Sequence, residues 1–179
     1  MELCKIPTDK KVKPEWKTAG TMSEGRSFLG SVALDGKVYQ LAGCLNEDFS
    51  TNEVWDSRTG KFDHIAKCLG KRDSQGQAVL EGEIYVVGGY DNITTKYLKS
   101  VEKYCPEANK WFRVASMNTA RRSPGVVSHR NHLYVVGGMG VEDDLSSVEV
   151  FNPFSGEWSF LPLDMKEVNG WCSACLGDY

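Results

Sequence analysis

Short apolar runs alternate with polar, glycine-bearing segments along this chain, and the runs end alike. Ile84-Tyr85-Val86-Val87 leads into Gly88-Gly89, and Leu133-Tyr134-Val135-Val136 leads into Gly137-Gly138. A third, imperfect copy reads Val38-Tyr39-Gln40-Leu41-Ala42-Gly43. The spacing is 46 residues from Gly43 to Gly89 and 49 from Gly89 to Gly138. Other signals keep the same phase. An aromatic recurs at Trp16, Phe62, Trp111 and Trp158, and an acidic-x-aromatic triplet at Glu53-Val54-Trp55, Glu102-Lys103-Tyr104 and Glu149-Val150-Phe151. Ten positions after the first three aromatics stand Arg26, Arg72 and Arg121, and Val168 holds that place in the fourth copy. A period of about 40–50 residues with a Gly-Gly signature predicts propeller blades.

The unit from Arg72 to Met117 reads as one blade. Gln75 to Leu80 is a strand of small residues, and Glu81-Gly82 a tight turn with glycine at positive φ. Glu83 to Val87 is a β-branched strand covered on both faces. Gly88-Gly89 lets the backbone turn sharply and approach a neighbouring strand. Tyr90 to Lys99 is a polar loop, Ser100 to Tyr104 a third strand, Pro106 to Asn109 a turn, and Lys110 to Val114 a fourth strand. The other units share these parts, with first turns at Asp35-Gly36 and Arg130-Asn131. Four short antiparallel strands make one propeller blade. The aromatics of the third and fourth strands should meet between sheets.

Composition narrows the function. With 41% hydrophobic and 25% charged residues the chain is an ordinary globular one. A net charge of −3 argues against generic attraction to nucleic acid or anionic membrane. The charged start, Met1 to Lys5, shows no secretory h-region. The six cysteines keep no common phase, so they read as reduced thiols in the cytoplasm, with the nucleus also open. Cys172-Ser173-Ala174-Cys175 is a lone CxxC with no second ligand pair; small packed residues are the simpler reading. His64, His129 and His132 do not converge, and no nucleophile elbow, zincin or P-loop motif is present. No cofactor, metal or catalysis is expected.

These residues, above all Tyr85-Val86-Val87-Gly88-Gly89, Glu102-Lys103-Tyr104, Trp111, Met117 and Arg121, resemble the Kelch repeat, and in particular the β-propellers of the BTB–Kelch (kelch-like) proteins. The likeness runs from about Trp16 to the end. It implies an all-β propeller of four-stranded antiparallel blades, about three of them complete, forming an incomplete ring. The expected division is a segment 1–15, a last strand of a preceding blade at 16–26, blades at 27–71, 72–120 and 121–167, and a closing innermost strand in 168–179, over Trp171 to Leu176. Such a strand closes the first blade in kelch-like rings, which makes the chain resemble the C-terminal half of a six-bladed propeller. The 15 residues before Trp16 are too few for a BTB or BACK region, so any link to cullin-3 is expected to run through a part outside this chain. Ala42 in place of the first glycine, Phe62 in place of tryptophan, and Cys105 where Asp56 and Asn152 sit are the departures.

In that family the propeller captures a protein, in kelch-like members often as the substrate-recognition part of a cullin-3 ubiquitin ligase. The ligand face implied here comprises Arg26, Ser27, Phe28, Arg72, Asp73, Ser74, Arg121, Arg122 and Ser123. The loops at Asn46–Phe49, Tyr90–Thr94 and Met139–Asp143 adjoin them, with Tyr90, Asn92 and Met139 foremost. Two readings of the recurring arginines stay open: recognition of an acidic ligand group, or a hydrogen bond to a carbonyl or neighbouring loop. Alternatives to the adaptor reading are an actin-binding Kelch protein and a truncated isoform with little function of its own. Kelch-like propellers also include a copper oxidase and a sugar-acid mutarotase. Open blade edges predict self-association, either as an arc or as a ring completed by a second copy.

Overall fold

The structure is a computed structural model and describes residues 2–5, 13–44, 51–162, 164–167 and 170–175. It is all-β. Strands β1 (Glu2–Lys5) and β2 (Glu15–Thr18) form a two-stranded sheet. Then come β3 (Gly30–Leu34), β4 (Lys37–Leu41), β5 (Asn52–Asp56) and β6 (Lys61–Ile65), in the order β3-β4-β5-β6. The second four-stranded sheet holds β7 (Gly76–Leu80), β8 (Glu83–Val87), β11 (Val101–Cys105) and β12 (Lys110–Val114). Between its second and third strands lies a small hairpin, β9 (Tyr90–Asp91) with β10 (Lys96–Tyr97). The third sheet holds β13 (Gly125–His129), β14 (His132–Val136), β15 (Val148–Asn152) and β16 (Glu157–Phe160). The sheets are antiparallel meanders that form an open arc of propeller blades.

Period-2 alternation decides how the blades stack. In each sheet one set of side chains faces the preceding blade and the other set faces the next. Tyr39 and Leu41 of the first blade meet Ile84, Val86, Tyr104 and Trp111 of the second in one core. Tyr85 and Val87 of the second meet Leu133, Val135 and Phe151 of the third in another. The third- and fourth-strand aromatics are cross-strand neighbours within one sheet, with ring centroids 5.1 Å apart for Tyr104–Trp111 and 5.0 Å for Phe151–Trp158. They lie side by side against the preceding blade. The indole N–H of Trp111 donates to Ala66 O at 2.8 Å and that of Trp158 to Ala115 O at 2.8 Å, tying each blade to the one before.

Several expectations need correction. The segment 1–15 supplies a strand, because Glu2-Leu3-Cys4 repeats the acidic-x-aromatic phase with cysteine in the aromatic place, and Cys4 pairs with Trp16 as Tyr104 pairs with Trp111. The fourth strand at Trp16 therefore has its third-strand partner. The loop Tyr90–Lys99 folds into a hairpin, because Asp91 accepts hydrogen bonds from the Ile93 and Thr94 amides and the Thr94 hydroxyl. The first turns hold both central residues at positive φ, including Asp35, Glu81 and Arg130, as a two-residue turn matched to twisted strands requires. Over Trp171–Cys175 no strand forms, since no described strand flanks it to complete a ladder. Instead it lies against the start of β13, where a Cβ on Gly125 would meet Ala174 N at 3.1 Å. Val168, Leu176 and the loop Asn46–Phe49 lie outside the described residues.

The second glycine of each pair has a steric role. A Cβ on Gly89 would sit 2.6 Å from Asp73 O, and one on Gly138 2.8 Å from Arg122 O, with φ of +104° and +91°. Gly82 has φ of +75° and open space around it. Gly89→Ala is therefore expected to destabilise the fold by about 2 kcal/mol or more, and Gly82→Ala by about 1 kcal/mol, in urea titrations. Equal costs would contradict the close-approach account.

Candidate functional site

Connections from fourth strands to first strands, and from second strands to third, all emerge at one end of the blades, while the tight hairpins lie at the other. The long-loop end gathers every residue in the expected ligand face. The structure sorts them into two layers.

The lower layer is the arginines. Arg72 and Arg121 are fully buried, and the Arg26 side chain is only 1% exposed. Arg72 donates to Gly88 O at 3.0 Å, Ser100 O at 3.1 Å, Ser100 Oγ at 3.2 Å and Glu102 Oε1 at 2.6 Å. Arg121 repeats this with Gly137 O at 2.8 Å, Ser147 O at 2.9 Å, Ser147 Oγ at 2.8 Å and Glu149 at 3.1 Å. Arg26 reaches Ala42 O at 3.1 Å, Thr51 O at 2.5 Å and Glu53 at 2.9 Å. Burial pulls the Arg121 pKa below the ordinary arginine value, and the Glu149 carboxylate works against that shift. Ligand recognition by these three side chains is thereby corrected: buried and bonded within their own blade, they do not reach a partner.

The carboxylates that hold them are the acidic members of the acidic-x-aromatic triplet, and each serves a further purpose. Glu53 accepts from Ser23 N at 2.8 Å, Glu102 from Leu69 N at 2.8 Å, and Glu149 from Asn118 N at 2.7 Å. Each of those amides stands three residues before its arginine. Sequence reasoning found both periodicities and missed that they are partners; the shared period was the available signal.

The upper layer consists of the residues that follow each arginine. Ser27, Asp73 and Arg122 form paired backbone bridges with Cys44, Tyr90 and Met139, which follow the Gly-Gly positions. Next inward, Phe28, Ser74 and Ser123 all adopt positive φ, of 54°, 50° and 53°. They carry a belt along the inner edge of the arc: Ser74 N donates to Phe28 O at 3.0 Å, Ser123 N to Ser74 O at 2.7 Å, and Cys172 N to Ser123 O at 3.1 Å. That last bond puts Cys172 in the phase of Ser123. A cavity of about 420 Å³ opens beside the belt, lined by Phe28, Ser74, Gln75, Ser123 and Trp171 among others.

On this belt the structure brings together Asp73, Ser74, Tyr90, Asn92 and Arg122. Asp73, 2% exposed, accepts from Ser74 Oγ at 2.8 Å and from the Asn92 amide, and lies 3.6 Å from Arg122 Nη2. The Arg122 guanidinium stands 4.7 Å from the Tyr90 ring centroid, in cation–π geometry. Arg122 comes from the third blade; Asp73 and Tyr90 belong to the second. The cluster thus spans a blade boundary and offers a held, partly exposed cation and amide to solvent. Phe28, Ile93, Val141 and Trp171 are exposed apolar groups at the same end, at 52%, 59%, 73% and 63%. Such a surface suits an extended protein ligand, with apolar contact and a few fixed polar groups. Cys68 is buried and its thiol is pushed up to about 12, mainly by desolvation, which keeps it protonated and unreactive. Among the described residues no group of three His, Cys, Asp or Glu is placed to hold a metal ion.

A family model described as the Kelch motif matches residues 76–118 and 120–162. Kelch-like protein 25 of Homo sapiens is 34% identical over 148 residues, which cover 78% of this chain and 25% of that protein. Kelch repeat and BTB domain-containing protein 1 of Cowpox virus (strain Brighton Red) is 29% identical over 150 residues, 82% of this chain and 26% of that one. The chain thus spans about a quarter of the length of these curated relatives. The solved structure of YjhT superposes with a TM-score of 0.76 at 14% identity, covering 90% of this chain and 58% of that chain, a likeness of fold.

Adjacent arginines separate the two layers experimentally. Arg121→Ala strands the buried Glu149 and is expected to cost about 3–5 kcal/mol. Arg122→Ala removes a partly exposed pair and should cost at most about 1 kcal/mol. Denaturant midpoints that shift equally would refute the division.

Proposed function

Because this chain belongs to the Kelch-repeat family, we propose that it is a protein-interaction module whose long-loop end captures a protein partner. The observation that carries this reading is the Asp73–Tyr90–Asn92–Arg122 cluster. It is braced by backbone bridges and built across two blades. A rigid scaffold with functional groups on its loops is how a propeller recognises a ligand. Arg122 supplies the charged contact, Tyr90 holds its plane, and Asp73 fixes both from below. Phe28 and Ile93 supply apolar contact on either side. The Kelch-like names of the relatives support a finer reading: within a longer chain bearing a BTB region, this surface would select the substrate presented to a cullin-3 ubiquitin ligase.

Affinity capture from cell lysate tests the proposal, using the wild-type chain, a Tyr90→Ala/Arg122→Ala face variant, and a Phe154→Ala control at the opposite end. A discrete partner retained by wild type and control, and lost with the face variant, is expected. A partner bound equally by all three, or chaperones alone with every bait, would overturn it.

A further inference from the structure

The two ends of the blade array carry complementary halves of the interface that the chain makes twice within itself. At each internal junction the fourth-strand tryptophan of one blade lies on the preceding blade and bonds the carbonyl just past that blade's fourth strand. These carbonyls are Ala66 O for Trp111 and Ala115 O for Trp158, both at 2.8 Å. The receiving surface of the first blade includes Val32, Leu34, Tyr39, Leu41 and Ile65, and that of the second includes Ala78, Leu80, Tyr85, Val87 and Val114.

The third blade shows the same surface with no described blade on it. Strand register places Val127, His129, Tyr134 and Val136 where Ala78, Leu80, Tyr85 and Val87 sit. Leu161 takes the place of Val114, bonds Val148 O at 2.9 Å, and is 39% exposed. Pro162 O then falls where Ala66 O and Ala115 O accept their indoles. At the other end, Trp16 holds the tryptophan position of β2, and it is 69% exposed.

We propose that two copies of this chain associate head to tail, Trp16 of one docking on the third-blade surface of the other, with the indole N–H directed to Pro162 O. The occupant is a second copy because the surface continues an established interface of this chain, and this chain itself carries the exposed tryptophan that fits it. With two copies each surface is used once per molecule, so the contact is heterologous and made twice if the pair closes. His129 in place of Leu80 makes the surface less apolar than its internal counterparts, so the affinity falls to about the micromolar range of a small, partly polar interface. This contact involves the blade faces and is independent of the ligand-face reading.

Sedimentation velocity of the full chain across a concentration series tests it, with Trp16→Ser and Leu161→Glu variants whose folding is checked by circular dichroism. Both positions are exposed, so the fold should persist. The expected result is reversible dimerisation of the wild type, weakened about tenfold or more in each variant alone. An equimolar mixture of the two variants should recover association, because one intact Trp16 and one intact third-blade surface remain between them. A wild type that stays monomeric, variants that dimerise like it, or a mixture that stays monomeric would each overturn the proposal. A monomer would assign the face to some other occupant.

Discussion

The buried arginine–glutamate pair is the constraint on which the rest of each blade depends. One guanidinium gathers the carbonyl that ends the second strand, the carbonyl that precedes the third strand, and the carboxylate on the third strand, as Arg72 does with Gly88, Ser100 and Glu102. The same carboxylate takes an amide from the connection arriving from the previous blade, Leu69 N at 2.8 Å. Two charges removed from water are favourable only when their remaining donors and acceptors are satisfied in good geometry. The pair therefore exists only when three separate chain segments arrive together, and it converts a loop crossing into a defined junction.

Other features follow from that junction. With the arginine drawn into the blade, its own carbonyl is presented to the preceding blade's second glycine: Gly43 N bonds Arg72 O at 3.3 Å, and Gly89 N bonds Arg121 O at 2.8 Å. The first glycine of the pair leaves room for that approach: a Cβ on Gly88 would sit 2.5 Å from Arg121 O. The next residue bridges outward to the loop, and the one after turns into the left-handed region to join the belt along the arc's inner edge. A cluster such as Asp73–Tyr90–Arg122 stands on a floor whose positions are already fixed. Fixed donors lose little freedom on binding, and that favours recognition.

Much of this was legible in the sequence, and the reason is repetition. Strand positions, turns and blade stacking follow from local alternation and glycine placement, which a period of about 46–49 residues displays three times over. The two arginine readings could not be separated that way, because each arginine's carboxylate partner stands 27 to 30 residues further along the chain and only the folded blade brings them together. The N-terminal strand was hidden since Cys4 stands where an aromatic marks the other copies, and an offset of 12 positions to Trp16 replaces the offset of 7 from Tyr104 to Trp111. The tail misled in the opposite sense. Trp171-Cys172-Ser173-Ala174-Cys175 has a strand's composition, but a strand needs a ladder partner, and no local pattern supplies one. In the expected ligand face, the repeat grouped the arginines with the residues that follow them, while their division into brace and surface needed burial, which is set in space rather than along the chain.

The most direct test of this account is a double-mutant cycle on Arg72 and Glu102, reading unfolding free energy for Arg72→Met, Glu102→Leu and the pair of changes together. Each single change leaves a buried charge without its partner and should cost about 3–5 kcal/mol, while the double change removes both charges and should cost less than the sum by about 2 kcal/mol or more. Additive losses would mean that the two side chains act separately, and would contradict the claim that their pairing closes the blade.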